Sequence, residues 1–228
     1  MLFFRWDQRL SILQDMDFII NVRKYTLQKI EHIYINKPHV FVIYPFNIYP
    51  IKQYENHNYI IYTGRTRNDK RIDLLIKTIG KSKTKPSLYV VNAKTEYEDY
   101  CMDLINKYNV QIKTFCNISQ LEKFDLYSKA TFAISAHYSF CPSGCLTEAQ
   151  SIGKNALSFE GNMEDRRCFG PYINYADSNI DKMSELIDKL MLNDEYREKD
   201  KEKRINFYNQ TATYEIWAKN VYEFLVTL

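Results

Sequence analysis

Apolar residues in this chain come in short unbroken blocks, separated by longer stretches in which they recur every three or four positions. Short continuous blocks read as strands buried on both faces, and the wider spacing reads as amphipathic helices. From residue 59 onward the two alternate. Strands are predicted at 59–63, 88–91, 110–115, 132–135 and 155–159, with helices opening at 73–79 and covering 96–108, 118–129, 182–192, 194–206 and 214–228. The last of these sets Trp217, Val221, Phe224 and Leu225 on one stripe. Such alternation implies an α/β protein, a parallel sheet flanked by helices. Ahead of it, 7–15 has helical spacing, Phe18-Ile19-Ile20 within 17–22 reads as a strand, a helix runs through Leu27, Ile30 and Ile33, and 40–44 is a second strand. Residues 45–58, with Pro45 and Pro50, read as a connection. Two units are therefore expected, 1–58 and 59–228.

Composition narrows the class. At 228 residues, 45% apolar and 26% charged, the chain has the make-up of a globular protein with a sizeable core. A net charge of +3, with no basic stripe interleaved with aromatics, argues against nucleic acid as a partner. Five cysteines with no Cys-x-x-Cys pair fit a reducing compartment. No apolar stretch approaches the roughly 20 residues of a membrane span, and the N-terminal apolar run is too short for a signal-peptide core. A cytoplasmic location is the expectation.

Candidate chemistry gathers around one turn. The Phe132-Ala133-Ile134-Ser135 block leads through Cys141-Pro142-Ser143-Gly144 into a helix with Glu148 one turn in and Gly153 near its end. A helix start presents unpaired N–H groups and the positive end of its dipole, which suits a phosphate. Glu148 is placed to accept hydrogen bonds from sugar hydroxyls. The second cluster, Gly64-Arg65-Thr66-Arg67-Asn68-Asp69-Lys70, follows the first strand of the alternation. In parallel sheets ligands sit at the carboxyl ends of the strands, so both clusters fall on one rim. There Arg65 and Lys70 would neutralise a diphosphate. Taken alone, Arg65, Arg67, Lys70 and Arg71 read equally as a solvated basic loop.

The order Gly64-Arg65 with Lys70 downstream, then Leu88-Tyr89-Val90-Val91, then Leu121, Tyr127 and Ala130 in one helix, then Glu148-Ala149 with Gly153, resembles the C-terminal nucleotide-sugar-binding half of GT-B fold, family 4 type retaining glycosyltransferases. The resemblance runs from about residue 59 to the C-terminus, and residues 10–29 resemble the last segment of the family's N-terminal lobe. It implies a Rossmann-like donor domain at 59–228, a remnant of the first lobe and its connection at 1–58, and a last helix packed on that remnant. It implies retaining transfer of a sugar from a nucleotide-diphosphate sugar of UDP or GDP type, with no further cofactor and no metal. Arg65 and Lys70 would grip the diphosphate and act on its leaving charge. Gly64, Ser143, Gly144, Cys145, Leu146 and Thr147 would line the donor with backbone, and Glu148 would bind the ribose. Residues 115–118 would lie beside the base. Expected partners are the nucleotide sugar and an unidentified acceptor (glycan, lipid or protein), with a second copy, a separate N-lobe chain or a membrane surface as further candidates.

The departures point elsewhere. Phe140 stands where the family has its first Glu, Arg71 where it usually has Gly, and Asn92-Ala93-Lys94 where it has Gly-x-Gly. Phe140, with most of the first lobe expected to be missing, favours an alternative in which the chain is a non-catalytic nucleotide or nucleotide-sugar binding subunit that needs a partner chain, whereas Arg65, Lys70 and Glu148 together favour an active site in use. His137-x3-Cys141-x3-Cys145 has helical spacing but is interrupted by Pro142 and Gly144, which argues against zinc. Cys141 or Cys145 with His137 as base would make a nucleophile on paper. Buried cysteines beside a tight turn are the simpler reading. The charge run 195–204 reads as a solvated helix face.

Overall fold

A computed structural model describes residues 19–21, 39–41, 56–66, 68–91, 97–136, 144–159 and 172–227. In the first unit, β1 (Ile19–Asn21) and β2 (His39–Phe41) pair in parallel. Both were expected, with longer bounds, and the helices expected at 7–15 and through Leu27 to Ile33 lie outside the described residues.

From β3 (Tyr59–Thr63) the chain alternates as its apolar pattern requires. There follow a 3₁₀ turn (Asn68–Lys70), α1 (Ile72–Lys81), β4 (Ser87–Val91), α2 (Tyr97–Tyr108), β5 (Ile112–Phe115), α3 (Gln120–Lys129) and β6 (Phe132–Ser135). Then come α4 (Gly144–Ser151), β7 (Asn155–Ser158), β8 (Asn174–Tyr175), α5 (Ile180–Leu192), α6 (Asp194–Glu198), α7 (Lys201–Thr211) and α8 (Tyr214–Leu225). The six strands from β3 to β8 form one parallel sheet in the order β5-β4-β3-β6-β7-β8.

Each strand sends alternate residues to opposite faces. Ile60, Tyr62, Leu88, Val90, Phe132 and Ile134 join Leu75, Ile79, Met183 and Ile187 in one core, so α1 and α5 cover that face. Tyr59, Ile61 and Ala133 join Phe124, Tyr127, Cys145 and Leu146 in the other, under α3 and α4. Burial on both faces is why the strands read as unbroken apolar blocks. The chain lays down β3, β4 and β5 outward, then returns to β6 beside β3. That reversal leaves a crevice at the carboxyl ends of β3 and β6.

Two expectations are corrected. The helix expected at 194–206 is two helices, parted at Asp200, whose backbone is left-handed (φ 60°). The charge run is solvated only in part: Glu195, Glu198, Lys199, Glu202 and Lys203 are exposed as expected, but Arg197 and Arg204 are 7% and 2% exposed. Arg204 donates from Nε and Nη2 to the Gly153 carbonyl at 3.1 and 2.7 Å, from Nη2 to Arg197 O at 2.8 Å and from Nη1 to Lys199 O at 2.7 Å. One cation thus closes the carboxyl end of α4 and fastens it to α7. The Tyr208 hydroxyl, donating to Gln150 Oε1 at 3.0 Å, adds a second tie.

Candidate functional site

The site is built from the ends of β3 and β6, which are neighbours in the sheet. At the end of β3 the chain turns through Gly64 at φ +145°, and a Cβ there would lie 2.7 Å from the Tyr62 hydroxyl oxygen. Only glycine fits both the backbone and the space. Tyr62, 1% exposed, donates its hydroxyl to the Arg65 carbonyl at 3.2 Å, so a core side chain braces the loop from below. The Arg65 side chain is exposed, and Lys70 is half-buried in the 3₁₀ turn that leads into α1. Arg71, at the start of α1, sits in the left-handed conformation (φ 53°, ψ 46°) and bonds Asp73 Oδ1 at 3.2 Å. Its backbone has the shape that a glycine would adopt freely.

On the other side, α4 begins at Gly144, which is exposed and on which a Cβ would meet nothing within 4 Å among the described residues. Cys145 and Leu146 turn their side chains into the core, at 2% and 0% exposure, so only their backbone is available to a ligand. Burial pushes the Cys145 thiol up to about 11, the environment of an inert packing group and not of a nucleophile. Thr147 donates its hydroxyl to Gly144 O at 3.0 Å. Ser143, Phe140, His137 and Cys141 lie outside the described residues.

Glu148 sits one turn further, and both its oxygens are engaged. Lys123 Nζ donates to Oε1 at 2.7 Å and the Tyr127 hydroxyl to Oε2 at 3.0 Å, with the Lys123 and Glu148 side chains only 15% and 19% exposed. Tyr127, fully buried, also bonds Thr63 Oγ1 at 2.6 Å. The Thr63 N–H in turn donates to Cys145 Sγ at 3.3 Å. The two clusters separated in sequence are therefore joined through Thr63, Tyr127, Cys145 and Glu148. A carboxylate held this way is fixed in position and keeps lone pairs free for hydroxyl donors.

Lys123 is the member that sequence reasoning passed over, and Tyr127 was noted without a role. They lie four apart on α3 and so share a face, but nothing local to them points at Glu148. Helix α3 is itself set by a capping box: Ser119 Oγ accepts from the Glu122 N–H at 3.2 Å, and Glu122 Oε2 accepts from the Ser119 N–H at 2.7 Å. Among the described residues no group of three His, Cys, Asp or Glu stands close enough to hold a metal ion, and no helix is long and apolar enough to cross a membrane.

The family described as Glycosyl transferases group 1 matches residues 46–207. No curated protein matches the sequence. Among solved structures, TarM of S. aureus superposes with a TM-score of 0.77 at 15% identity, over 96% of this chain and 45% of its own. Anabaena HepE, in complex with UDP and glucose, gives 0.77 at 10% identity over 97% of this chain and 67% of its own. The pneumococcal O-GlcNAc transferase GtfA, in complex with UDP and GlcNAc, gives 0.71 at 19% over 96% and 47%. At these identities the likeness is one of fold. The chain spans under half the length of TarM and GtfA.

Proposed function

The chain belongs to the glycosyl transferases group 1 family and has the fold of a GT-B C-terminal domain; from that premise we propose that it binds a nucleotide-diphosphate sugar of UDP or GDP type and transfers the sugar with retention, as family 4 enzymes do. The observation that carries this reading is the junction at Thr63, Tyr127, Cys145 and Glu148. It sets a basic loop and a helix start side by side, with a fixed carboxylate one turn behind.

In this reading the diphosphate lies between Arg65, Lys70 and the backbone N–H groups of α4, where fixed positive charge meets the negative charge that builds on the leaving phosphate. Arg65 supplies a planar fork and Lys70 a point charge. Glu148 accepts from the ribose hydroxyls, and Lys123 and Tyr127 keep it from turning away. No side chain of this chain need act as general base if the leaving phosphate takes the acceptor's proton on the same face. Residues 1–58 serve as the end of the first lobe, and 59–228 as the donor domain.

Calorimetric titration with UDP, GDP and ADP tests the reading. Saturable binding of one of them, weakened by about 1.5–3 kcal/mol in Arg65→Ala, is the expected outcome. Equal affinity in the variant would remove Arg65 from the diphosphate.

Phe140, which cannot accept the hydrogen bonds of the family's first Glu, favours a second reading: a binding subunit that holds the nucleotide without turning it over. Slow release of free sugar from a bound nucleotide sugar decides for the transferase, and tight binding with no release over many hours decides for the subunit.

A further inference from the structure

At the rim opposite the donor site, the residues that lead into the neighbouring strands β6 and β7 face α6 and the start of α7 across a small cavity of about 30 Å³. Asn56, Thr131, Lys154, Arg197, Glu198 and Lys201 line it. It admits a guest of water size and is small for a phosphate or sulfate. Two of these residues, 3% and 7% exposed, carry a buried polar atom with no hydrogen-bond partner among the described residues: Oγ1 of Thr131 and Nε of Arg197. Two orphaned groups at one cavity ask for a guest that completes both.

The chemistry of the wall selects that guest. The Arg197 guanidinium gives Nη1 to the Leu190 and Met191 carbonyls and Nη2 to Asp194, so the remaining Nε–H is a donor only. Lys154, itself 9% exposed, is a second donor, and its bond to Asn56 Oδ1 at 3.0 Å engages that amide oxygen. Lys201 Nζ pairs with Glu198 Oε2 at 3.0 Å, which leaves three cations against one carboxylate. Helix α7 opens at Lys201, and its N-cap Asp200 makes no side-chain bond to the first turn, so the positive end of the helix adds to the same field. Water would bring protons of its own to a wall already rich in donors. An anion accepts from each donor and offsets the charge.

We propose that this cavity binds one small monovalent anion of the chloride class, held by Thr131, Lys154, Arg197 and Lys201. The ion ties the starts of β6 and β7 to α6 and α7. Burial first and then the charge of Lys201 hold the Lys154 ammonium down to about 8, with Arg197 acting in the same direction and Glu198 against it. A bound anion favours the charged ammonium and lets Lys154 keep its proton to higher pH. By linkage, the anion is held below that pH and released as Lys154 deprotonates above it. None of this depends on a nucleotide at the other rim.

The test is ³⁵Cl line broadening on the full chain, at pH 7 and pH 10, with and without UDP. Saturable broadening is expected at pH 7, unaltered by UDP, with chloride bound about tenfold more weakly at pH 10. Thr131→Val, which keeps the shape of the side chain and removes its hydroxyl, should weaken chloride about tenfold at pH 7. Lys154→Met should weaken it at least as much and flatten the pH dependence. Thermal unfolding in chloride against gluconate at equal ionic strength gives a second reading: the midpoint rises saturably with chloride in the parent chain and not in Lys154→Met. The proposal is overturned by no saturable broadening at pH 7, by broadening that UDP removes, or by equal chloride affinity in the parent and both variants. Failure of UDP to bind would count against the nucleotide reading alone.

Discussion

The Tyr127 hydroxyl lies 2.6 Å from Thr63 Oγ1 and 3.0 Å from Glu148 Oε2, so one buried oxygen joins the end of β3 to the second turn of α4. Tyr127→Phe keeps the ring in the core and removes only that oxygen. Two part-buried oxygens then lose a partner, and the chain should lose about 1–3 kcal/mol of stability in urea unfolding. UDP affinity should fall with it, while pyrophosphate affinity stays. An unchanged unfolding midpoint would mean that the hydroxyl does not hold the two elements together.

Glu148→Ala makes the complementary case. Under the proposed reading it weakens nucleoside diphosphates and leaves pyrophosphate alone, since only the former carry ribose hydroxyls. A parallel loss for both ligands, measured by calorimetry, would place Glu148 outside the nucleoside contact.

Arg71 inverts the usual rule for glycine at a helix end. A non-glycine residue in the left-handed region costs about 1–2 kcal/mol, here offset in part by the bond to Asp73, whose side chain is 7% exposed and is also paired with Lys77 at 3.3 Å. Arg71→Ala loses the ion pair and keeps the backbone cost, whereas Arg71→Gly loses the pair and sheds the cost. The glycine variant should therefore be the more stable of the two by about 1 kcal/mol. Equal thermal midpoints would show that the backbone relaxes once the guanidinium is gone.

Lys154, 9% exposed, is held down to about 8 by burial first and by the charge of Lys201 next, against 10.5 for an ordinary lysine. Between those two pH values the unfolded chain binds the proton and the folded chain does not, so stability rises with pH across the window. The size is about 3 kcal/mol for this one group. Below pH 8 both states are charged and the slope vanishes. Lys154→Met should lack the rise, and a difference curve between the two proteins isolates it from the tyrosines that titrate nearby. Parallel curves from pH 8 to 10.5 would refute the shift.

The sheet was legible because its strands are buried on both faces, which writes Tyr59-Ile60-Ile61-Tyr62 and Phe132-Ala133-Ile134 as solid apolar runs. Strand β8 was not, since Asn174 and Tyr175 pair with Leu157 and Ser158 only where tertiary packing brings them. The break at Asp200 left no glycine or proline to betray it. Gly64, Arg65, Lys70 and Glu148 could be picked out because loop chemistry follows directly on strand and helix ends. Lys123 could not, because its partner stands on another helix and the pairing is visible only once β3 and β6 are side by side.

Arg204 binds carbonyls from the end of α4, from α6 and from the turn between α6 and α7. Its effect is cooperative: the helix that presents Glu148 and the helices that follow β8 should open together in hydrogen exchange, as one unit. Proteolytic trimming or design that stops at Leu192 would remove the group that closes α4. A fragment ending there is not a smaller version of this domain but an unfinished one.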